Sequence, residues 1–301
     1  MNDEKQPCII CKEPKDNMTE EHIIPDSIGG ILKTYNVCKE CNGKLGEKVD
    51  SKFLNNSFII LLRYIFEIKN KNNQTVDILK QLPIYDENDE KVILKKGDNI
   101  NTPSLYTGKT IPEISATPTK DGKTHFEYSG ADVDSIATKI CRMLKGKGKT
   151  VSKAEIKKIV QSSGNWTHGK EKVTMPICVD AEAYAPCVVK IAYEYATCTL
   201  GNEYFEDECG ENLRKFLYNY SQGIADDSEA INISGSIVID EISNFHYIRL
   251  ERTGAGRLLV SMILFGGMKF VVLVSNDADK YNITKKEEFI DLTIKEVNTN
   301  E

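Results

Sequence analysis

The sequence of 301 residues is poor in tryptophan and histidine, with one and four copies respectively, and it has no long hydrophobic run. Its longest strongly apolar stretch, Phe58-Ile59-Ile60-Leu61-Leu62, ends at Arg63 and is too short to cross a bilayer. The first five residues, Met1-Asn2-Asp3-Glu4-Lys5, lack the basic and apolar segments of a secretory signal. We therefore expect a cytoplasmic protein with no membrane partner.

Basic residues are also in deficit, since 39 Lys and Arg stand against 45 Asp and Glu, for a formal charge of −6. This balance excludes nucleic-acid binding through overall charge, because affinity for phosphates depends on clustered Lys and Arg. With 40% hydrophobic and 28% charged residues, the composition is that of a globular chain with an apolar core. Any contact with nucleic acid is therefore expected in a local basic patch.

Cysteine, in contrast, is plentiful and unevenly placed. Four of the nine cysteines form two CxxC pairs near the start of the chain: Cys8 and Cys11, then Cys38 and Cys41. Two such pairs offer the four thiolates of a tetrahedral zinc site, and cytosolic cysteines stay reduced. We predict a structural Zn²⁺, with coincidental buried thiols as the alternative. The other five cysteines, between positions 141 and 209, are expected mostly to be buried free thiols.

The segment between the two pairs carries the polar residues of interest. It contains Glu21-His22-Ile23-Ile24-Pro25 and a Gly29-Gly30 turn, and Asn42 directly follows the last cysteine. A histidine beside a carboxylate is usually a surface pair. In a short hairpin held by zinc, however, we expect Glu21, His22 and Asn42 to converge on one small polar site.

This order of elements resembles the HNH endonucleases, the ββα-metal nucleases, in their zinc-stapled form. The resemblance covers about residues 8 to 52 and implies a metal-dependent DNA endonuclease. It implies that His22 is the general base, since neutral imidazole, with a pKa of about 6.5, can accept a proton from water. It implies that Glu21 and Asn42 hold a catalytic Mg²⁺ or Mn²⁺. Asn36 matches the middle asparagine that orients the base.

The sequence departs from the family pattern at two points. The interval from Asn36 to Asn42 is shorter than in many members, and the second helical ligand would fall at Gly46, which has no side chain to coordinate an ion. Asp50 lies eight residues beyond Asn42, roughly 12 Å along a helix, and is interpreted as structural or supporting. The alternative function is a zinc-finger protein that binds nucleic acid and has lost catalysis.

A basic segment spans residues 139–172, where ten Lys and Arg stand against two acids. We predict that five of its lysines contact DNA phosphates: Lys145, Lys147, Lys149, Lys153 and Lys157. A solvated basic surface is the alternative. Trp166 and His168 close the segment, and they either stack on a base or pack against the protein.

The predicted fold class is α+β. Residues 1–55 are predicted to form the zinc-bound ββα-metal module, and residues 56–301 a larger α+β domain with a C-terminal antiparallel sheet. Helices are expected at Ser135–Lys145, Ser152–Gln161, Cys187–Leu200 and Asn212–Tyr220, and strands at Ser236–Ile242, His246–Glu251, Leu258–Phe265 and Lys269–Val274. The family resemblance adds three expectations: a role in bacterial defence, a small-molecule or protein regulator of the larger domain, and a homodimer, because cutting two strands usually requires two sites.

Overall fold

The computed structural model describes residues 6–70, 73–85, 89, 91–96, 103–106, 113–119, 124–129, 133–163, 174–224 and 231–293. The chain divides into two compact units, Met1–Val76 with Cys178–Glu301, and Asp77–Ile177. Among the described helices, none combines the length and the apolar character that a membrane span requires. The predicted domain boundary after residue 55 stays a prediction.

The described elements are as follows in chain order. The strands are β1 (Met18–His22), β2 (Lys33–Cys38), β3 (Ile84–Tyr85), β4 (Lys91–Lys96), β5 (Pro103–Tyr106), β6 (Glu113–Pro118), β7 (Thr124–Ser129), β8 (Ile233–Ile237), β9 (Phe245–Arg252), β10 (Leu258–Leu264), β11 (Met268–Ser275) and β12 (Lys285–Asp291). The helices are α1 (Lys39–Leu45), α2 (Ser51–Leu54), α3 (Ser57–Ile65), α4 (Ile78–Gln81), α5 (Val133–Gly146), α6 (Lys153–Ser163), α7 (Ala181–Leu200) and α8 (Glu208–Gln222). A π-helical turn, Gly46–Asp50, joins α1 to α2.

The first unit begins with a ββα arrangement, in which β1 and β2 pair antiparallel and α1 follows at once. Its C-terminal part is a five-stranded antiparallel sheet with the strand order β12-β9-β10-β11-β8. Alternate residues of β9, β10 and β11 are buried, as the period-2 pattern of the sequence predicts. Helices α7 and α8 contact β11. The predicted α+β class and the C-terminal antiparallel sheet are confirmed.

Two elements of this sheet differ from the sequence expectation. The strand expected at Ser236–Ile242 lies earlier, at Ile233–Ile237, because a 3-10 turn occupies Ile239–Glu241. Strand β12 was not expected, because its sequence KKEEFID is mostly charged. It pairs only with β9 and forms an edge of the sheet, where charged residues are tolerated.

Helix α7 is the central helix of the first unit. Nearly every residue from Ala183 to Thr197 is buried, as is typical of a helix surrounded by other elements. It begins six residues before the expected start at Cys187, because Asp180 caps it by accepting hydrogen bonds from the N–H groups of residues 182 and 183. Pro186 lies inside the helix, so the proline does not mark its start.

The second unit contains the antiparallel strands β3-β4-β5, the hairpin β6-β7 and the helix pair α5 and α6. The two helices share an apolar core that includes Ile140 of α5 and Val160 of α6. Ser152 and Glu155 form a capping box, with each side chain bonded to the backbone N–H of the other at 3.1–3.2 Å. The helices predicted at these two positions are thus confirmed.

Candidate metal centre and active site

The four cysteines of the CxxC pairs meet at one point, where their sulfur atoms all lie within 4.8 Å of one another. No other group of three or more His, Cys, Asp or Glu side chains comes together in this way among the described residues. The backbone N–H groups of Ile10 and Cys38 lie 3.5 and 3.3 Å from Cys8 Sγ. A set of four clustered sulfur ligands fits a structural zinc ion.

Hydrogen bonds prepare one of these thiols for metal binding. The pKa of Cys8 is lowered to about 4, chiefly by a hydrogen bond from the Cys41 side chain. Burial opposes this shift, and backbone N–H groups, that of Cys38 among them, reinforce it. The same hydrogen bond raises the pKa of Cys41, and because zinc binds both sulfur atoms as thiolates, metal binding releases the proton that this pair holds.

Asn42 joins the start of α1 to the strand that carries the Glu-His pair. Its Nδ2 donates to the backbone oxygen of Glu20 at 2.8 Å and to Thr19 Oγ1 at 3.1 Å, beside a bulge in β1. Both Nδ2 hydrogens of Asn42 are donated to acceptors on β1, so the Oδ1 atom of the same amide points away from these two acceptors. These two bonds hold Asn42 against residues 19 and 20 of β1, which directly precede Glu21 and His22 in the chain.

The accessible side of β1 carries His22 together with Glu20. The side chains are 20% and 42% exposed, and Glu20 Oε1 lies 3.9 Å from His22 Nε2. Glu20 Oε2 accepts a hydrogen bond from Tyr35 at 3.0 Å and lies 3.2 Å from Lys33 Nζ. The hydrogen bond from Tyr35, followed by that from Lys33, lowers the pKa of Glu20. Glu20 is therefore a fixed negative charge beside the candidate base.

Glu21 faces the opposite way, into the protein. The residue is 5% exposed, and its carboxylate contacts the ammonium group of Lys190, a fully buried residue of α7. Lys190 Nζ also donates to both carboxylate oxygens of Asp50, at 3.1 and 2.9 Å, and to the backbone oxygen of His22 at 3.1 Å. The contact with Lys190 agrees with the interpretation of Asp50 as a structural or supporting residue.

Lys190 and the two carboxylates that it contacts, Glu21 and Asp50, form the Lys190 cluster. Lys190 keeps its positive charge because of these acidic neighbours. Burial by itself lowers the pKa of Lys190, but the nearby acids, Asp50 first among them, raise it well above its usual value. Glu194, one turn further along α7, is also fully buried, and neither of its oxygens has a hydrogen-bond partner among the described residues. Burial raises the pKa of Glu194 well above its ordinary value, so the neutral form of this carboxyl group is favoured over the charged form.

Asn36 contacts the segment between Cys8 and Cys11 of the cysteine cage. Its Oδ1 accepts a hydrogen bond from Gln6 at 3.1 Å, and its backbone oxygen accepts one from Ile9 at 2.9 Å. Its role in orienting the base stays a prediction. Gly46, at the position of the family's second helical ligand, begins the π-helical turn that leads to Asp50.

The segment that carries the first CxxC pair, Cys8 and Cys11, packs against helices α7 and α8. Tyr193 donates its hydroxyl to the backbone oxygen of Ile9 at 2.6 Å, and Arg214 Nη1 donates to that of Ile10 at 2.7 Å. Lys12 adds an ion pair with Glu211 at 2.8 Å. The two carbonyls between Cys8 and Cys11 are therefore held by the later part of the chain.

The predicted DNA-contacting lysines differ in their surroundings. Lys145, Lys147 and Lys149 are exposed at and after the end of α5. Lys153 and Lys157 instead form ion pairs with Asp134, at 2.5 and 3.1 Å. Asp134 precedes the basic segment and offsets part of its charge. Trp166 and His168 lie outside the described residues.

The remaining histidines and cysteines do not form a second site among the described residues. His246 is buried, with Nε2 2.9 Å from the backbone oxygen of Ile28, and its Nδ1 accepts the N–H of Phe265 at 3.0 Å. Burial lowers its pKa to about 4, so it is a neutral structural residue. The expectation of buried thiols holds for Cys187 and is wrong for the exposed Cys178 and Cys198.

Sequence reasoning missed Lys190 and Glu20. The alternation of side chains in a strand could have placed Glu20 with His22 on one face, because they are two residues apart. Lys190 has no comparable signal, since it lies far beyond Glu21 in the chain, in an otherwise apolar helix. A lysine flanked by Val188, Val189 and Ile191 is unusual, however, and that pattern indicates a buried charge with a partner.

Residues 8–58 match the family model described as HNH endonuclease. The match confirms the resemblance for the N-terminal module, and an HNH module indicates a nuclease that acts on nucleic acid. It covers about a sixth of the chain. No match was found among curated proteins or among solved structures.

Proposed function

We propose that this protein is a metal-dependent endonuclease that hydrolyses phosphodiester bonds of DNA, with His22 as general base and with Glu21 and Asn42 as ligands of one Mg²⁺ or Mn²⁺. The observation that supports it best is the Asn42 amide bonded to β1 beside the Glu-His pair, in a hairpin that the cysteine cage anchors. An amide oxygen and a carboxylate oxygen are ligands that hard divalent ions prefer. The donor set therefore fits such an ion.

In the proposed reaction, the neutral imidazole of His22 takes a proton from a water molecule while the water oxygen attacks phosphorus. The bond from phosphorus to the 3′ oxygen breaks and the 3′ oxygen takes a proton from solvent, while His22 later releases its own proton to solvent. The products are a 5′ phosphate and a 3′ hydroxyl. A divalent ion, when bound, supplies stabilisation of negative charge on phosphate and leaving group. The Glu20 carboxylate, 3.9 Å from His22 Nε2, favours the imidazolium that forms.

Substrate binding belongs to the same proposal. Three exposed lysines suit sequence-independent contact with phosphates: Lys145, Lys147 and Lys149. Lys153 and Lys157 form ion pairs with Asp134, which offsets part of their charge. We retain the expectations of a cytoplasmic location, a role in bacterial defence, a homodimer and a regulator of the larger domain as parts of the proposal.

Plasmid nicking with Mg²⁺ or Mn²⁺ tests the proposal. We expect His22→Ala to lose at least a hundredfold in rate, in the range typical of a lost general base, while it keeps its zinc and its melting temperature. The exposed His125→Ala is the control and should cut like the wild type. A folded, zinc-loaded His22→Ala protein with wild-type activity would contradict the mechanism.

A second candidate function is binding of nucleic acid without cleavage. Two observations favour it: Gly46 stands at the position of a helical ligand, and the Glu21 carboxylate is buried against Lys190. This function predicts metal-independent DNA binding and no cleavage with any divalent cation. Gel-shift and nicking assays on the same preparation distinguish the two functions.

A further inference from the structure

Lys190 is a buried lysine at the contact between α7 and the zinc-stapled hairpin. Its side chain is 0% exposed, and its ammonium contacts four oxygen atoms from three residues: one of Glu21, two of Asp50 and the backbone oxygen of His22. A lysine has three N–H donors, so these acceptors use its hydrogen-bonding capacity fully. The group is held in one position.

The charges explain why a cation is needed there. Glu21 and Asp50 bring two carboxylates into an environment with little water, and an isolated buried carboxylate is strongly unfavourable. Lys190 is the cation that contacts both of them. Glu194, which has no hydrogen-bond partner among the described residues, does not compete for the ammonium by direct contact.

The location ties this cation to the proposed reaction. Glu21 is the proposed acidic ligand and His22 the proposed base, and Lys190 contacts the first through its side chain and the second through its main chain. The contact with Glu21 uses Oε1. A carboxylate offers about four lone-pair sites on its two oxygens, so a contact with an ammonium group does not by itself prevent coordination of an ion. Hydrogen bonds of this kind orient the ligands of metal sites and affect metal affinity.

We propose that Lys190 is a positioning residue of the nuclease site, which holds the Glu21 carboxylate and the His22 main chain in the arrangement that metal binding and proton transfer require. This inference rests on the proposed function. It extends the site beyond the segment that matches the family, residues 8–58, to a helix in the later part of the chain.

The test compares substitutions in the full-length protein. Lys190→Met removes the cation and keeps a long side chain. Tyr193→Phe is the matched control, because Tyr193 lies one turn further along α7 and also donates to the hairpin module, but at the zinc pair. Three quantities are measured: Mn²⁺ affinity by electron paramagnetic resonance, kcat and KM for plasmid nicking, and zinc content.

We expect Lys190→Met to bind Mn²⁺ about 10–100-fold more weakly and to lose about 10–100-fold in kcat, with KM for DNA little changed. Tyr193→Phe should stay within about twofold of the wild type in both. A folded, zinc-loaded Lys190→Met protein with wild-type Mn²⁺ affinity and kcat overturns the proposal. Equal losses in both variants also overturn it, because they would reflect general docking of α7.

If Lys190→Met does not fold, a second pair of variants decides. Asp50→Asn removes the charge of the half-buried Asp50 carboxylate and leaves Lys190 in contact with Glu21 and His22, and Lys190→Met is then added to it. The proposal requires the double variant to bind Mn²⁺ at least tenfold more weakly than Asp50→Asn, and equal affinity refutes it. A wild-type protein that neither cuts DNA nor binds Mn²⁺ refutes the proposed function itself, which is a different result.

Discussion

The cysteine cage and the Lys190 cluster solve the same electrostatic problem in two ways. In the cage, four sulfur ligands from the N-terminal module come together at a site that fits Zn²⁺. In the cluster, two carboxylates from the hairpin module meet an ammonium group from α7, in a distant part of the sequence. The cage is complete within the N-terminal module, whereas the cluster exists only when α7 is packed against it.

The N-terminal module depends on the rest of the chain for charge compensation, but not for its metal ligands. Zinc binding can hold β1, β2 and α1 together by itself, because all four ligands are local. Glu21 and Asp50, however, face the later helix, so their charges are compensated only in the complete fold. Tyr193 and Arg214 connect the two regions, because they bind the carbonyls of the first zinc pair.

The largest expected effect is that of removing zinc. A structural zinc contributes on the order of 10 kcal/mol to folding, so Cys38→Ser should lose the metal and unfold the hairpin module. Atomic absorption and thermal unfolding measure this. The exposed Cys178→Ser is the control and should keep its zinc. Retention of zinc by Cys38→Ser would contradict the assignment of Cys38 as one of four ligands in a cage that is local to the N-terminal module.

A smaller effect is expected from removing the ammonium. Lys190→Met should lower the free energy of unfolding by about 3–5 kcal/mol, because it leaves the buried carboxylate of Glu21 and the half-buried carboxylate of Asp50 without this cation. Chemical denaturation measures the change. Lys157→Met, which breaks a partly exposed pair with Asp134, is the matched control and should cost about 1 kcal/mol or less. Equal costs would show that burial gives the cluster no special weight.

The smallest effect concerns Glu194 and appears as a pH dependence. Its pKa is raised in the folded state, so above pH 4.5 the unfolded chain releases this proton more readily than the folded one does. Stability therefore falls as pH rises, by up to about 1.4 kcal/mol per pH unit. Glu194→Gln removes that contribution, so wild type and variant should diverge as pH rises from 4.5.

Urea unfolding at several pH values measures this divergence. Exposed Glu182→Gln on the same helix controls for the substitution itself. A constant difference between wild type and Glu194→Gln from pH 4.5 to neutral pH would mean that Glu194 ionises in the folded protein, and that the Lys190 cluster carries one more negative charge.

Much of the architecture could be predicted from local sequence. The capping box at Ser152 and Glu155, the alternating strands of the C-terminal sheet and the CxxC pairs all depend on residues close together in the chain. The predictions erred where tertiary contacts compete with local preference. Strand β12 has a charged sequence and is stabilised by pairing with β9, and α7 continues through Pro186 because packing holds it.

The zinc ligands, the family of the N-terminal module and the candidate site residues His22, Glu21 and Asn42 could all be predicted from the amino-acid sequence alone. The reason is that the spacing of these residues is itself the signal. Only the tertiary structure decided which way each side chain faces: Glu20 toward solvent with His22, and Glu21 inward to Lys190. Burial and charge compensation between distant segments depend on how helices pack: the apolar neighbours of Lys190 indicate a buried charge, but they do not identify its partners.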